Sequence, residues 1–370
     1  MALQRFLSTL INAFCFLVIL LLNAPCFADT KDSSSFKFSG YLDIYYALYS
    51  DSVGLNNYSK FPDISTRNNT FGLNIFQLSC HYDASNLRAT ATIHYGDLPQ
   101  SAWSPQFNIL QEANLGFRIN PKLWIDAGLF KTHIGTEGFL PKDNVASSMS
   151  VITYYEPWWQ AGIKATYTYS EKFSLAVHLL NGYNTFLNFN NNKAVGIAAN
   201  YTFNERANLG YFNLLSDSSP DSVKTSHLRF LNNFVFTYQF TSKLKGIAGF
   251  DFISQRNSSL TDPTKSAYIY SGIVTLRYQY KPKIAVYGRY ELYHDADGFL
   301  SGIIIDDNNK ATGLILNGAT LGLEFKPAMN SFIRLEGRDM LMNSDEKIFI
   351  TNGQNTHIRT ELMITAGVWF

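Results

Sequence analysis

Cysteine is almost missing from this chain. There are three in 370 residues, and two of them, Cys15 and Cys26, fall within the first 26. Once an N-terminal leader is removed Cys80 stands alone, so no intrachain disulfide framework is available even in an oxidising compartment. Charge is scarce too: 16% of residues are charged and the net charge is +1, which offers no basic footprint for nucleic acid. Beyond the N-terminus no apolar run approaches the about 20 residues that a transmembrane helix needs. That excludes a membrane bundle of helices but not a barrel, where only alternate residues face lipid. Chemistry-bearing patterns are missing as well. The histidines are isolated, with no Cys/His cluster at metal spacing. No Gly-rich phosphate loop and no G-x-S-x-G elbow occurs. The expectation is therefore no enzyme, no metal and no cofactor. What the chain has in abundance is aromatic residues, 22 Tyr and 29 Phe, in a composition that favours strands over helices.

The N-terminus reads as a processing signal. Arg5 supplies a positive start, Ala13–Leu22 (AFCFLVILLL) an apolar core, and Cys26-Phe27-Ala28 a cleavage site before Asp29. Lipidation at Cys26 fits badly beside Asn23 and Pro25. The expected organisation is a cleaved signal peptide over 1–28 and a single domain over 29–370.

The final stretch, His357–Phe370 (HIRTELMITAGVWF), sets the pattern for the rest. Ile358, Leu362, Ile364, Ala366, Val368 and Phe370 share one face, while Arg359, Glu361 and Thr365 share the other. Side chains alternate across a strand, so one face is apolar and the opposite one carries charge. Phe36–Tyr49 and Leu87–Tyr95 repeat this alternation. About 16 such runs are joined alternately by tight Pro/Asn/Asp/Gly turns and by long polar loops, the habit of outer-membrane barrels. The count carries a margin of two, because Phe71–Tyr82 and Ala207–Leu215 are ambiguous in parity. Beside the short turns, on the apolar face, come Phe117, Tyr167, Tyr169, Tyr201, Phe203, Tyr238, Phe240, Tyr278, Tyr280, Phe325 and Phe370. Rings repeated at one depth suit a membrane–water boundary and have no purpose in a soluble sandwich. The fold class is thus all-β, a transmembrane antiparallel barrel in a Gram-negative outer membrane, with short periplasmic turns and long extracellular loops. Phe370 is the expected assembly signal, read by the outer-membrane assembly machinery.

The most individual stretch contains DAGLFKTHIGTEGFLPKDN (Asp126–Asn144), YYEPWWQAGIKATY (Tyr154–Tyr167) and LLNGYN (Leu179–Asn184). The order G-x-F-x-x-x-x-G-x-E, a Ser-rich loop, E-P-W-W-Q-A-G and then N-G-Y-N resembles the OmpL-like β-barrel porins, the porin-2 type. The resemblance is sharp over about 70 residues and elsewhere extends only to strand patterning. It implies a porin-like outer-membrane channel and says little about the solute. Within this stretch Gly128, Gly135 and Gly138 are placed to bend the backbone at a strand end. Glu137, Lys142 and Asp143 ride on the third long loop, Thr136–Met149. That loop either folds inward as a constriction or lies outside as a solvated surface loop; the second, plainer alternative is slightly favoured.

Parity assigns Arg88, Arg118, Lys164, Lys245, Asp251, Arg277, Arg289, Glu291, Glu324, Arg334, Glu336, Arg338, Arg359 and Glu361 to the lumen, together with Asp126 and Glu156. An Arg or Lys facing mid-depth hydrocarbon would cost about 2–4 kcal/mol. Inside, such charges either set an ion preference or pair across strands and keep the lumen wet, and the interspersed signs favour pairing. A passive pore for small hydrophilic solutes, weakly anion-selective, is expected. The alternatives are a substrate-selective channel, for example for oligosaccharides, using Trp124, Trp158, Trp369 and Tyr287 inside, or a non-conducting structural or adhesive barrel. Outer-membrane lipid and the solutes are the expected partners, and the oligomeric state stays open.

Overall fold

The computed structural model describes residues 34–51 and 66–370. The proposed signal peptide lies outside them. Strands β1 (Ser35–Tyr49), β2 (Thr70–Asp83), β3 (Leu87–Tyr95), β4 (Leu110–Asn120) and β5 (Leu123–Lys131) open the chain. They are followed by β6 (Trp159–Ser170), β7 (Phe173–Leu180), β8 (Ala194–Asn204), β9 (Ala207–Ser216) and β10 (Arg229–Gln239). Then come β11 (Leu244–Gln255), β12 (Ala267–Lys281), β13 (Ile284–His294), β16 (Ile315–Phe325), β17 (Ser331–Met342) and β20 (Ile358–Trp369). These sixteen form one closed antiparallel barrel, each paired with its neighbours in the chain and β20 paired back to β1. Closure leaves no strand edge in hydrocarbon, where each unpaired backbone group would cost several kcal/mol. Two small hairpins stand in the long loops: β14 (Ile304–Ile305) with β15 (Ala311–Thr312), and β18 (Phe349–Thr351) with β19 (Gln354–Thr356).

The wall follows the alternation of the sequence. On β1, Leu42, Ile44 and Leu48 are exposed to the outside, while Tyr41, Asp43 and Tyr45 are buried within. The outward rings Phe117, Tyr169, Tyr201, Phe203, Phe240, Tyr280, Phe325 and Phe370 are exposed at the short-turn end, forming the expected girdle. The two strands of uncertain parity have physical explanations. In β2 the pairing steps from Asp43↔Ile75 to Ile44↔Leu73, so Asn74 is an extra, bulged residue that inverts the alternation midway. In β9 the register with β10 is regular, but Phe212 and Leu214 face inward, where apolar residues are not anticipated.

They face inward because much of the long-loop half of the lumen is packed. Leu180, Leu214, Leu231, Ile253, Ile269, Tyr293 and Met340 from the wall enclose Ile134, Val151, Ile152 and Tyr155. Across the barrel Tyr41, Ile75 and Phe332 pack with Leu98, Trp103, Leu140, Met149 and Trp158. Leu98 belongs to helix α1 (Asp97–Ala102), Val151–Tyr155 is helix α2, and Pro141–Asp143 is one 3₁₀ turn. Gly128 and Gly135 adopt φ of 134° and 124°, as a bend requires, whereas Gly138 needs no such freedom.

Candidate functional site

The segment from Thr132 to Trp158, between β5 and β6, crosses the lumen and touches the wall almost all the way round. The surface-loop expectation for Thr136–Met149 is therefore replaced. The loop leaves solvent because the wall supplies partners for its backbone and its charges, and these partners lie far away in sequence.

Near its start, His133 Nε2 reaches Asn213 O at 2.9 Å, and its ring stacks on His178 with centroids 4.0 Å apart. Burial pushes the His133 imidazole below its ordinary pKa and keeps the ring neutral. The Gly135 amide donates to Asn233 Oδ1 at 3.3 Å. Two wall glycines make room for this arm: a methyl group at Gly196 would crowd the His133 ring, and one at Gly249 would overlap Thr136. Glu137 then ion-pairs with Arg289 at 2.8 Å while accepting the Ser150 amide at 2.7 Å.

On the far wall Arg334 donates to the carbonyls of Pro141 and Asn144, both at 2.9 Å. Glu336 accepts the backbone amides of Ser147 and, at 3.0 Å, Ser148. Ser147 Oγ lies 2.7 Å from Thr365 Oγ1 on β20, and the Val151 amide donates to Glu291 at 2.7 Å. These partners satisfy backbone groups that would otherwise be stranded away from water. Lys142 and Asp143 pair with each other at 2.9 Å, with Asp143 more than half exposed.

Most of the sequence-predicted residues fall into three clusters, and two stand outside them. Glu324 takes Arg277 at 2.6 Å and Arg334 at 2.9 Å. Arg338 reaches Glu291 at 2.8 Å and Glu361 at 3.5 Å, and Arg359 reaches Glu361 at 3.2 Å. With Arg289 and Glu336 these residues make one buried lattice on β12, β13, β16, β17 and β20. Across the barrel Arg88 holds Asp126 in a two-pronged pair at 2.7 and 2.6 Å, with Lys164 at 4.0 Å. Asp251 is buried beside Glu156, where the loop meets β11. Arg118 and Lys245 stand apart. Arg118 is exposed and caps the turn carbonyls of Ser85 and Pro121. Lys245 faces Arg277 across β11 and β12, with no salt bridge among the described residues. Of the four inward aromatics, Tyr287 donates to Glu336 at 2.6 Å, Trp158 is buried against Phe139, and Trp124 lies under Arg88 at 4.4 Å. Trp369 packs between Tyr41 and Phe332.

Parity missed the stacked His133–His178 pair and the buried cluster of His94, Trp103 and Phe139. Alternation along β3 and β7 turns His94 and His178 inward, but their partners ride on loops, where parity says nothing. In the crook of the inward loop lies a cavity of about 270 Å³, lined by Lys131, His133, Glu137, Phe139, Glu156 and Trp158 among others.

Residues 35–370 match the family described as "Putative beta-barrel porin-2, OmpL-like". Solved outer-membrane structures share the fold. A loop L8 deletion mutant of Vibrio cholerae OmpT superposes with a TM-score of 0.59 at 11% identity, covering 92% of this chain and 100% of that one. Pseudomonas putida OprB gives 0.59 at 12%, over 91% and 94%. Salmonella typhi OmpF, solved in complex with daunomycin, gives 0.58 at 11%, over 90% and 97%. No curated protein matches the chain in sequence.

Proposed function

The chain belongs to the putative beta-barrel porin-2, OmpL-like family of outer-membrane β-barrels, and from that premise we propose a passive channel for small hydrophilic solutes with a weak preference for anions. The supporting observation is the inward loop and its lattice. A loop held across the lumen by Arg289, Arg334 and Glu336 narrows a sixteen-stranded barrel, which would otherwise leave a wide aqueous bore. The chemistry proposed is diffusion and not catalysis.

The anion preference does not rest on Arg334 and Arg338, because both are buried against carboxylates. It rests on the short-turn half, where Lys245 has no salt bridge among the described residues and Arg118 stands in solvent. Fixed positive charge enriches anions within about 8 Å, the Debye length at physiological salt. Reconstitution in planar bilayers tests both parts. Conductance steps are expected, and Arg118→Gln with Lys245→Gln should move the reversal potential in a salt gradient toward cations. A protein without conductance steps ends the channel proposal; an unmoved reversal potential ends the anion proposal alone.

The aromatic side of the 270 Å³ cavity, Phe139 and Trp158, favours a second possibility, a solute-selective channel for sugars. Block of the ion current by added oligosaccharide separates it from general diffusion. Export with removal of residues 1–28, a mature domain over 29–370, and recognition of Phe370 by the assembly machinery belong to the same proposal. Phe370 stands on the closing seam, where its amide donates to Gly40 O at 3.1 Å.

A further inference from the structure

Two carboxyl groups meet where the inward loop touches β11. Glu156, directly after α2, is 3% exposed, and Asp251 on β11 is fully buried. They meet around Gly135: Glu156 Oε2 lies against it, the Gly135 amide donates to Asn233 Oδ1 at 3.3 Å, and Asn233 in turn holds Asp251. Asp251 Oδ1 accepts from Asn233 Nδ2 at 2.8 Å, but Asp251 Oδ2 and Glu156 Oε1 have no donor. Ionised carboxylates only accept hydrogen bonds. Two of them closed off from water repel, whereas one proton between them makes a short charge-assisted hydrogen bond.

Among the described residues no neighbouring group donates to Asp251 Oδ2 or Glu156 Oε1. On the same loop Glu137 adds negative charge and is held by Arg289. On β12 Ser271, opposite Asp251, donates to Leu292 O at 2.9 Å. Tyr183 donates to Tyr155 O at 2.9 Å, and Arg229 on β10 lies over the Tyr183 ring and bonds Gln255. On the loop's other arm His133 is held by Asn213 and Gln160, while Lys131 at the end of β5 pairs with Glu112.

We propose that Glu156 and Asp251 share one proton that latches the inward loop to β11, and that its loss as pH rises frees this arm and widens the channel. Burial first, and then the Asp251 carboxyl, push Glu156 well above the ordinary carboxylate range. The docked pair therefore binds a proton that separated carboxyls would release. Docking is fully favoured below their ordinary pKa of about 4 and weakens as pH climbs from there toward the raised value.

The conductance arm of the test rests on the channel proposal; hydrogen exchange of Thr136–Tyr155 does not. From about pH 5 to about pH 9, corrected for intrinsic exchange, protection of this segment should fall about tenfold or more in the wild type. In Glu156→Gln the amide donates permanently to Asp251, so protection should stay high and flat. Asp251→Asn should behave alike, and heat-modifiable gel migration verifies that both variants fold. Conductance should rise with pH in the wild type alone. A flat wild-type profile, or an equal fall in both variants, overturns the latch. Loss of protection on adding a chelator at about pH 5 would place a cation between the carboxyls and overturns it too. Absence of conductance ends the channel proposal and leaves the exchange result to decide the latch.

Discussion

On the side of β13, β16, β17 and β20 the inward loop meets its wall through opposite charges and charge-assisted hydrogen bonds; on the side of β9, β10 and β11 it meets it through the neutral hydrogen bonds of His133 and Gly135 and through two carboxyl groups. Arg289 pairs with Glu137, Arg334 donates to two loop carbonyls, and Glu336 accepts two loop amides. Glu156 and Asp251 are complementary only with a proton between them. The same loop is thus anchored by charge on one side of its path, while on the other the carboxyl pair alone is conditional. Fastenings of comparable burial differ in what can undo them: a mutation on one side, a change of pH on the other.

The largest effect is expected from breaking the side anchored by charge. Arg289→Ala strands Glu137 without its buried cation and leaves Glu291 to Arg338 alone, at a cost of about 3–5 kcal/mol. Exchange protection should collapse along the whole loop at every pH, erasing the contrast between its two ends. Glu336→Ala is next. It removes the acceptor for Ser147, Ser148 and Tyr287, with an expected loss of about 2–3 kcal/mol. Protection should drop around Ser147 and remain near Glu156 in acid. Smallest is Lys142→Gln. Its pair with Asp143 is largely solvated, so less than about 1 kcal/mol is expected and loop exchange should hardly change.

Much of the wall was legible because alternation is a local property. Leu87–Tyr95 shows its two faces without help from any other strand, and the aromatic girdle follows from where the short turns fall. The bulge at Asn74 and the inward Phe212 defeated parity, one by inserting a residue and the other by burying a ring where the lumen is packed. The loop was not legible, because what draws it inside lies at long range. Glu137 finds Arg289 and Ser147 finds Glu336 across more than 150 and 180 residues of chain. The Glu, Lys and Ser content of Thr136–Met149 suits water equally well, and only the wall decides. Arg118 shows the opposite limit: its parity is inward, yet it caps a turn.

The central claim is that the loop lies across the lumen against the far wall, and a single cross-link tests it most directly. Ser147 Oγ and Thr365 Oγ1 are 2.7 Å apart. In a Cys80→Ala background, Ser147→Cys with Thr365→Cys should close a disulfide under mild oxidation in native outer membranes. The bond should be visible as a loop-to-β20 linkage after proteolysis, with single-channel conductance at acid pH the same before and after oxidation. Two thiols that stay freely reactive, or a bond that forms only with a large fall in conductance, would contradict the position assigned to the loop.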